Sequence, residues 1–314
     1  MSMSQANTAS KKPCVFIQTN KKQLLGALVS AYSMKRNSAT PDAFDVQIMH
    51  QEDFDFFRKK EGAIYIRDGV ERPWQNDDLQ SFTPTRFMPP ELMGYEGRAV
   101  VVDPDVFAVG DVMGLLGRDM QGKAIMCRLQ GGRKKFSTSV MLLDCAKLKH
   151  WQVEKQFNEL FEKKRDYIDW TSLACDPEET IGIFEPEWND FDRLTPATKL
   201  IHNTKRRTQP WKTGLHVDFY PVDRVRGFGL WVWLMAARRA VFGTYGLMGY
   251  YQPHPDPNQE RFFFGLLKEC LEKGVVTEAQ VREEMRQNHV RHDALEVVQK
   301  TRPLGTVGAG LLAA

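Results

Sequence analysis

The sequence predicts an α/β sandwich, a sheet of short apolar strands flanked by helices, and three observations predict it. Short apolar runs alternate with segments of helical spacing along most of the chain. One run, Ala99 to Val102, is apolar throughout and stops at Asp103-Pro104-Asp105, as a buried strand does where it meets a loop. No repeat or low-complexity tract interrupts the alternation.

Residues 1–12 are polar, lack the apolar stretch of a secretory signal and read as a flexible lead. Cys14 to Thr19 (CVFIQT) suits a buried strand. Lys21 to Arg36 follows as a helix with Leu24, Leu25, Leu28 and Tyr32 on one face. Phe44 to His50 alternates apolar and polar residues and reads as a second strand. Asp111 can cap a short helix through Leu116, and Ala124 to Cys127 and Val140 to Leu143 add strands. Lys147 to Lys164 has the spacing of a charged helix. Prolines punctuate the chain near 84–90 and 253–257. The expected organisation is a main domain over 13–220, a mostly helical extension over 221–302 and a tail over 303–314.

With 42% hydrophobic and 26% charged residues, the 314-residue chain can bury a large core. Its 43 basic and 40 acidic residues nearly balance, which excludes a general nucleic-acid footprint. Five cysteines without a C-x-x-C pair argue against a disulfide framework or a zinc knuckle and predict a reducing, cytoplasmic setting. The most apolar window, Phe228 to Tyr251, carries Arg238 and Arg239 at its middle, which excludes a membrane-spanning helix. A helix buried in the fold is the expected form, ahead of one in peripheral contact with a membrane.

The chemistry concentrates in two places. Asp103 and Asp105 stand at the carboxyl end of a strand, where ligands bind in open α/β sheets, and alternation turns positions i and i+2 to one side. Two such carboxylates can hold Mg²⁺ or Mn²⁺. A solvated turn is the other reading of this short motif. About a hundred residues on, KLIHNTKRRTQPWKTG sets His202 after another apolar run, and a neutral imidazole suits a Mn²⁺-like ion. Lys205, Arg206, Arg207 and Lys212 in that segment can meet phosphate oxygens, or form a solvated face.

Four blocks in order resemble glycosyltransferase family eight, the retaining GT-A group that includes glycogenin and bacterial lipopolysaccharide galactosyl- and glucosyltransferases. TRFMPPELMGYEGRAVVVDPDVFAVGDVMGL is similar to the block running from an arginine through a strand to D-x-D and a short helix. FSTSVMLLD resembles the N-x-G-V-M-hydrophobic strand, FEPEWND the L-P-x-x-W-N element, and IHNTKRRTQPW the H-x-x-G-x-x-K-P-W segment. The blocks span Thr83 to Trp211.

The resemblance implies a Rossmann-like mixed sheet of GT-A type over 13–220 as the catalytic domain. It implies Asp103, Asp105 and His202 as metal ligands for Mn²⁺ or Mg²⁺, and Arg86 and Asp169 as the catalytic pair facing the donor sugar. Donor binding, with a UDP-linked sugar, falls to Thr19, Asn20, Arg86, Asp103, Asp105, Lys205, Gln209 and Trp211. The acceptor is a carbohydrate, a lipid-linked sugar or a protein. The aromatic residues Trp231, Trp233, Phe242 and Tyr245 are expected mostly in the core, with one or two facing the acceptor.

Departures mark where the pattern changes. Gln209 replaces a phosphate-binding lysine in a loop one residue longer, so Lys205, Arg206 or Arg207 is left to supply the charge. Ser137, Thr138 and Ser139 replace an asparagine and a glycine, Trp170 follows Asp169 in place of a glutamine, and Gln18, Thr19 and Asn20 end the first strand in place of an aspartate and a nearby tyrosine. A nucleotidyltransferase also uses paired aspartates, but QTNKKQ stands where its Gly-rich turn belongs. A non-catalytic binding protein on the same fold is the other alternative, against which the retained Asp103, Asp105 and His202 speak.

Overall fold

The structure, a computed structural model, describes residues 11–130, 135–219, 234, 237, 238, 240–242 and 249–305. The strands are β1 (Cys14–Thr19), β2 (Asp45–His50), β3 (Ile64–Arg67), β4 (Val70–Pro73), β5 (Arg98–Val102), β6 (Val106–Ala108), β7 (Ile125–Gln130), β8 (Lys135–Asp144), β9 (Ile181–Ile183), β10 (Asp190–Phe191) and β11 (Leu200–His202). The helices are α1 (Leu24–Arg36), α2 (Asp55–Arg58), α3 (Pro89–Leu92), α4 (Met113–Leu116), α5 (Val153–Phe161), α6 (Tyr167–Thr171), α7 (Pro257–Glu272), α8 (Glu278–Arg286) and α9 (Ala294–Lys300).

Six strands form one mixed sheet in the order β2-β1-β5-β8-β7-β9. β1 lies parallel to β2 and β5, β8 runs antiparallel to β5 and β7, and β7 is parallel to β9. All six residues of β1 are buried, as an unbroken apolar run between two parallel neighbours requires. β10, β11 and β6 form a second small sheet, and β3 and β4 a hairpin. The expected α/β architecture, a mixed sheet flanked by helices, is what the chain adopts.

The element bounds differ from the sequence reading where tertiary bonds intervene. The first helix starts at Leu24 after a 3-10 turn over Lys21–Gln23, because the Asn20 carboxamide oxygen accepts the Lys22 N–H at 3.1 Å. The helix expected from Lys147 shrinks to Val153–Phe161. There the Trp151 indole and the His150 ring both bond Asp176 Oδ1 at 2.8 Å, which ties the preceding stretch to another part of the fold. β8 runs longer than Val140 to Leu143 because β5 and β7 flank it on both sides.

One core packs against the large sheet, with Phe16, Val101, Leu142, Phe157 and Trp170 fully buried. A second joins Leu25 and Val29 of α1 to Phe107, Ile201, Trp211 and the inward faces of α7 to α9. Arg36 of α1 grips Glu269 of α7 through two bonds of 2.6 and 2.8 Å, and Tyr32 adds a third at 2.6 Å. α1 also passes very close to the turn after β5. A Cβ on Gly26 would stand 2.8 Å from the Pro104 carbonyl oxygen, so only glycine fits there.

Candidate metal centre

Strand register builds the centre. β5 ends in Asp103, and the chain turns through Pro104 into β6, with Val106 N–H bonding the Asp103 carbonyl at 3.2 Å. β6 pairs antiparallel with β11 so that His202 stands opposite Val106, next to Asp105. The Asn203 N–H closes the junction by donating to the Asp105 carbonyl at 3.1 Å. Residues a hundred positions apart thereby bring two carboxylates and an imidazole together, with one ligand atom from each lying within 4.8 Å of the others.

The imidazole is held from behind. His202 Nδ1 lies 2.9 Å from Asn189 Oδ1, and the Asn189 amide nitrogen donates to Ser139 Oγ at 3.0 Å and Ser137 Oγ at 3.2 Å. Those donations turn the Asn189 oxygen to the ring, which fixes the proton on Nδ1 and leaves Nε2 facing Asp105 Oδ1 at 3.3 Å. Burial alone would lower the proton affinity of His202, but the carboxylates of Asp105, Asp103 and Asp192 together raise the imidazole above its ordinary value.

Each carboxylate has its own support. Asp103 receives the Gln18 amide and, at 3.1 Å, Arg86 Nη2, while Arg86 Nη1 bonds Thr138 Oγ1. Burial pushes the Asp103 carboxyl up, Arg86 pulls it down, and Asp105 pushes it up further. Asp105 Oδ2 accepts the Gln209 amide at 2.9 Å, and Gln209 also donates to the Asn203 carbonyl at 3.2 Å. Two half-buried carboxylates thus share one guanidinium and one imidazole. A divalent cation fits this donor set: two carboxylate oxygens and one imidazole nitrogen whose ring Asn189 holds in place.

Asp103, Asp105 and His202 open on a cavity of about 170 Å³ also lined by Gln23, Leu79, Phe82, Arg206 and Gln209. That volume lies below the several hundred Å³ usual for a small-molecule site, so a nucleotide-sized ligand needs the walls to part. Of the basic loop, Arg206 faces the cavity, whereas Lys205 is exposed with its N–H on Asp192 Oδ1 at 3.1 Å.

Other expected residues stand elsewhere. Lys212 is not a free phosphate contact: it is fully buried and pairs with Asp218 Oδ2 at 2.9 Å. Trp211 is not at the cavity wall either, because its ring packs 5.7 Å from Phe107 and 4.7 Å from Phe263 in the second core. Thr19 is buried and bonds the Asn20 carbonyl, and Asn20 spends its amide on Asp78 and Ser81. Asp169 sits exposed on α6, outside the cavity lining, while Trp170 stacks on Phe87 in the core at 5.0 Å. Arg86 stays beside the centre, behind Asp103.

The chain has distant likenesses among solved structures. It is similar to the glycosyltransferase GlyE of Streptococcus pneumoniae TIGR4 at 16% identity and a TM-score of 0.46, over 85% of this chain and 64% of that one. It is also similar to the galactosyltransferase LgtC in complex with donor and acceptor sugar analogs, at 14% identity and 0.44, over 63% and 89% of the two chains. A third is mouse xyloside xylosyltransferase 1, at 11% and 0.40, over 62% and 97%. The chain thus spans less than two thirds of the GlyE chain. No protein-family model matches the sequence, and neither does any curated protein. At such low similarity the chemistry has to be read from the site's own residues.

Several supporting residues escaped the sequence reading. The run Ser137-Thr138-Ser139 read only as a departure, yet its alternation carries the signal: two serine hydroxyls face Asn189 and the threonine between them faces Arg86. Gly26, an isolated glycine inside a helical pattern, likewise marks a close backbone approach.

Proposed function

We propose that the chain is a glycosyltransferase of GT-A type that moves a hexose, with retention, from a UDP-linked donor to an acceptor with the help of Mn²⁺ or Mg²⁺. The observation that carries the proposal is the convergence of Asp103, Asp105 and His202, from two different sheets, on one wall of a cavity at the carboxyl end of β5. The ordered blocks resembling glycosyltransferase family eight run through the same residues.

Asp103, Asp105 and His202 would hold the cation, which when bound supplies positive charge against the diphosphate leaving group. The protein's own residues do the rest. Arg86 and Gln18 fix Asp103, Gln209 fixes Asp105, and Asn189 fixes the ring of His202, so the charges are set before the donor arrives. Arg206 stands on the cavity wall as the loop cation to meet phosphate oxygens, the task the sequence left between it, Lys205 and Arg207. Leu79 and Phe82 supply apolar wall that keeps water from an activated donor. Asp103 and Asp105, the only carboxylates among the described lining residues, are assigned to the cation, and retention then calls for acceptor attack on the face the nucleotide leaves. The five cysteines remain free thiols, which supports a cytoplasmic setting.

A thermal-shift panel tests the reading. A UDP-hexose with Mn²⁺ at about a hundred times its Kd stabilises by about 2.7 kcal/mol, a rise of about 4 °C for a chain of this length. No shift with any nucleotide-sugar, with or without Mn²⁺, would overturn it.

A further inference from the structure

Asp256 caps α7 by accepting the Asn258 N–H at 3.0 Å, and Pro257 takes the first helical position. That start sets Gln259 in the first turn. Phe262 and Phe263 follow three and four positions on, along the same helix face, and both sit in the second core. Glutamine is seldom fully inside a protein, yet Gln259 is only 2% exposed. Burial of a carboxamide calls for partners at both ends, and it has them. Its Oε1 accepts the Asn203 side-chain amide at 2.6 Å, and its Nε2 donates to the Asp192 carbonyl at 2.8 Å.

These partners are the first residues past the ends of two paired strands. β10 and β11 run parallel with Phe191 opposite His202, so Asp192 and Asn203 leave the small sheet side by side. Each is bonded to the metal centre. The Asn203 N–H donates to the Asp105 carbonyl at 3.1 Å, and the Asp192 N–H donates to the His202 carbonyl at 2.9 Å. The Asp192 carboxylate also accepts the Thr204 hydroxyl and, at 3.1 Å, the Lys205 N–H. Asp192 stands at a φ of 52°, a left-handed conformation that a non-glycine residue keeps where surrounding bonds determine it. The Gln259 carboxamide therefore spans the two strand ends from which His202 and its neighbours are hung.

The helix that supplies this bridge is anchored elsewhere. Glu269 of α7 is gripped by Arg36 and Tyr32 of α1, and α1 passes against Pro104 between the two aspartates. A glutamine serving only the packing of α7 would bond within its own helix or to a neighbouring one, whereas both described bonds of the Gln259 side chain go to the segments beside His202.

We propose that Gln259 is a positioning residue of the metal centre: by bridging Asp192 and Asn203 it holds the backbones of His202 and Asp105 at the separation one cation needs. The proposal rests on the reading of Asp103, Asp105 and His202 as cation ligands. Three variants of the full-length protein test it. Gln259→Ala removes the side chain, Gln259→Met keeps its length and bulk without either bond, and Leu266→Ala opens the second core on the same helix. In the metal-free protein, hydrogen exchange over 192–205, taken relative to β1, should quicken about tenfold in both Gln259 variants and keep its wild-type ratio in Leu266→Ala. Mn²⁺ affinity, titrated well below each melting temperature, should fall about 10- to 100-fold in both Gln259 variants and stay at the wild-type value in Leu266→Ala. Folded Gln259→Met with wild-type exchange and Mn²⁺ affinity would overturn the proposal and leave the ligand assignment standing. An equal loss of affinity in Leu266→Ala would also overturn it, since any weakening of α7 would then suffice. So would failure of both Gln259 variants to fold, which would make the residue a general support. Wild type that binds no Mn²⁺ would overturn the cation reading and this proposal together.

Discussion

Asp105→Asn separates charge from shape at the centre. Asp105 offers Oδ1 to His202 Nε2 at 3.3 Å and Oδ2 to the Gln209 amide at 2.9 Å. Asparagine can keep both contacts, with its oxygen accepting from Gln209 and its amide N–H donating to the Nε2 lone pair. Packing and hydrogen bonding therefore survive, and stability should change by less than about 1 kcal/mol. The negative charge does not survive, and with it goes the largest of the interactions that raise the His202 imidazole. Mn²⁺ affinity, measured by calorimetric titration, should fall sharply. Turnover, measured as UDP release from a UDP-hexose in the presence of acceptor, should drop at least a hundredfold, about 2.7 kcal/mol of transition-state stabilisation. Asp111→Asn is the control: Asp111 accepts the Met113 and Ala39 N–H groups, both at 2.9 Å, and touches nothing at the centre. It should cost about 1 kcal/mol of stability and little turnover. A folded Asp105→Asn protein with wild-type Mn²⁺ affinity and turnover would refute the reasoning.

Three further outcomes follow from the supports. Asn189→Ala removes the partner of His202 Nδ1, and Mn²⁺ affinity should fall about 10- to 100-fold in a folded protein; an unchanged titration would show that the ring needs no orienting bond. Gly26→Ala, which in an ordinary helix interior gains up to about 1 kcal/mol, should here destabilise by about 1–3 kcal/mol and weaken Mn²⁺ binding, because the added carbon meets the Pro104 carbonyl; a raised melting temperature would contradict this. At Glu269, burial pushes the carboxyl up but the bonds from Arg36 and Tyr32 outweigh it and hold it below its ordinary value. The resulting stability is therefore present above about pH 4.5, the unfolded value, and is lost as pH falls through the lower folded one. Melting temperature against pH should decline more steeply in wild type than in Glu269→Gln below that point, and parallel curves would count against the α1–α7 clamp.

What could be read in advance divides along physical lines. Local periodicity sufficed for CVFIQT, which is buried along its whole length, and for the strand that ends at Asp103. The meeting of Asp103 and Asp105 with His202 was legible because strand ends carry side chains to one edge. The Lys147 helix was overdrawn because the pull of Asp176 on His150 and Trp151 is a contact between distant segments, invisible to spacing. Trp211 and Lys212 sit in a loop that looked polar and open, but Phe263 and Asp218, far along the chain or on the next turn, bury them. The apolar window was expected as a helix buried in the fold, with its aromatic residues mostly in the core and one or two facing the acceptor; at the described positions Leu234, Val241 and Phe242 are exposed, and Trp231, Trp233 and Tyr245 lie outside the described residues.

The central claim is that one cation is held by Asp103, Asp105 and His202 together, and pulsed electron paramagnetic resonance of the Mn²⁺-loaded protein addresses it without reference to turnover. The account predicts a single bound Mn²⁺ with coupling to one directly bound histidine nitrogen, absent in a folded His202→Ala protein. A single Mn²⁺ bound with no nitrogen coupling, or a coupling that persists in His202→Ala, would contradict it.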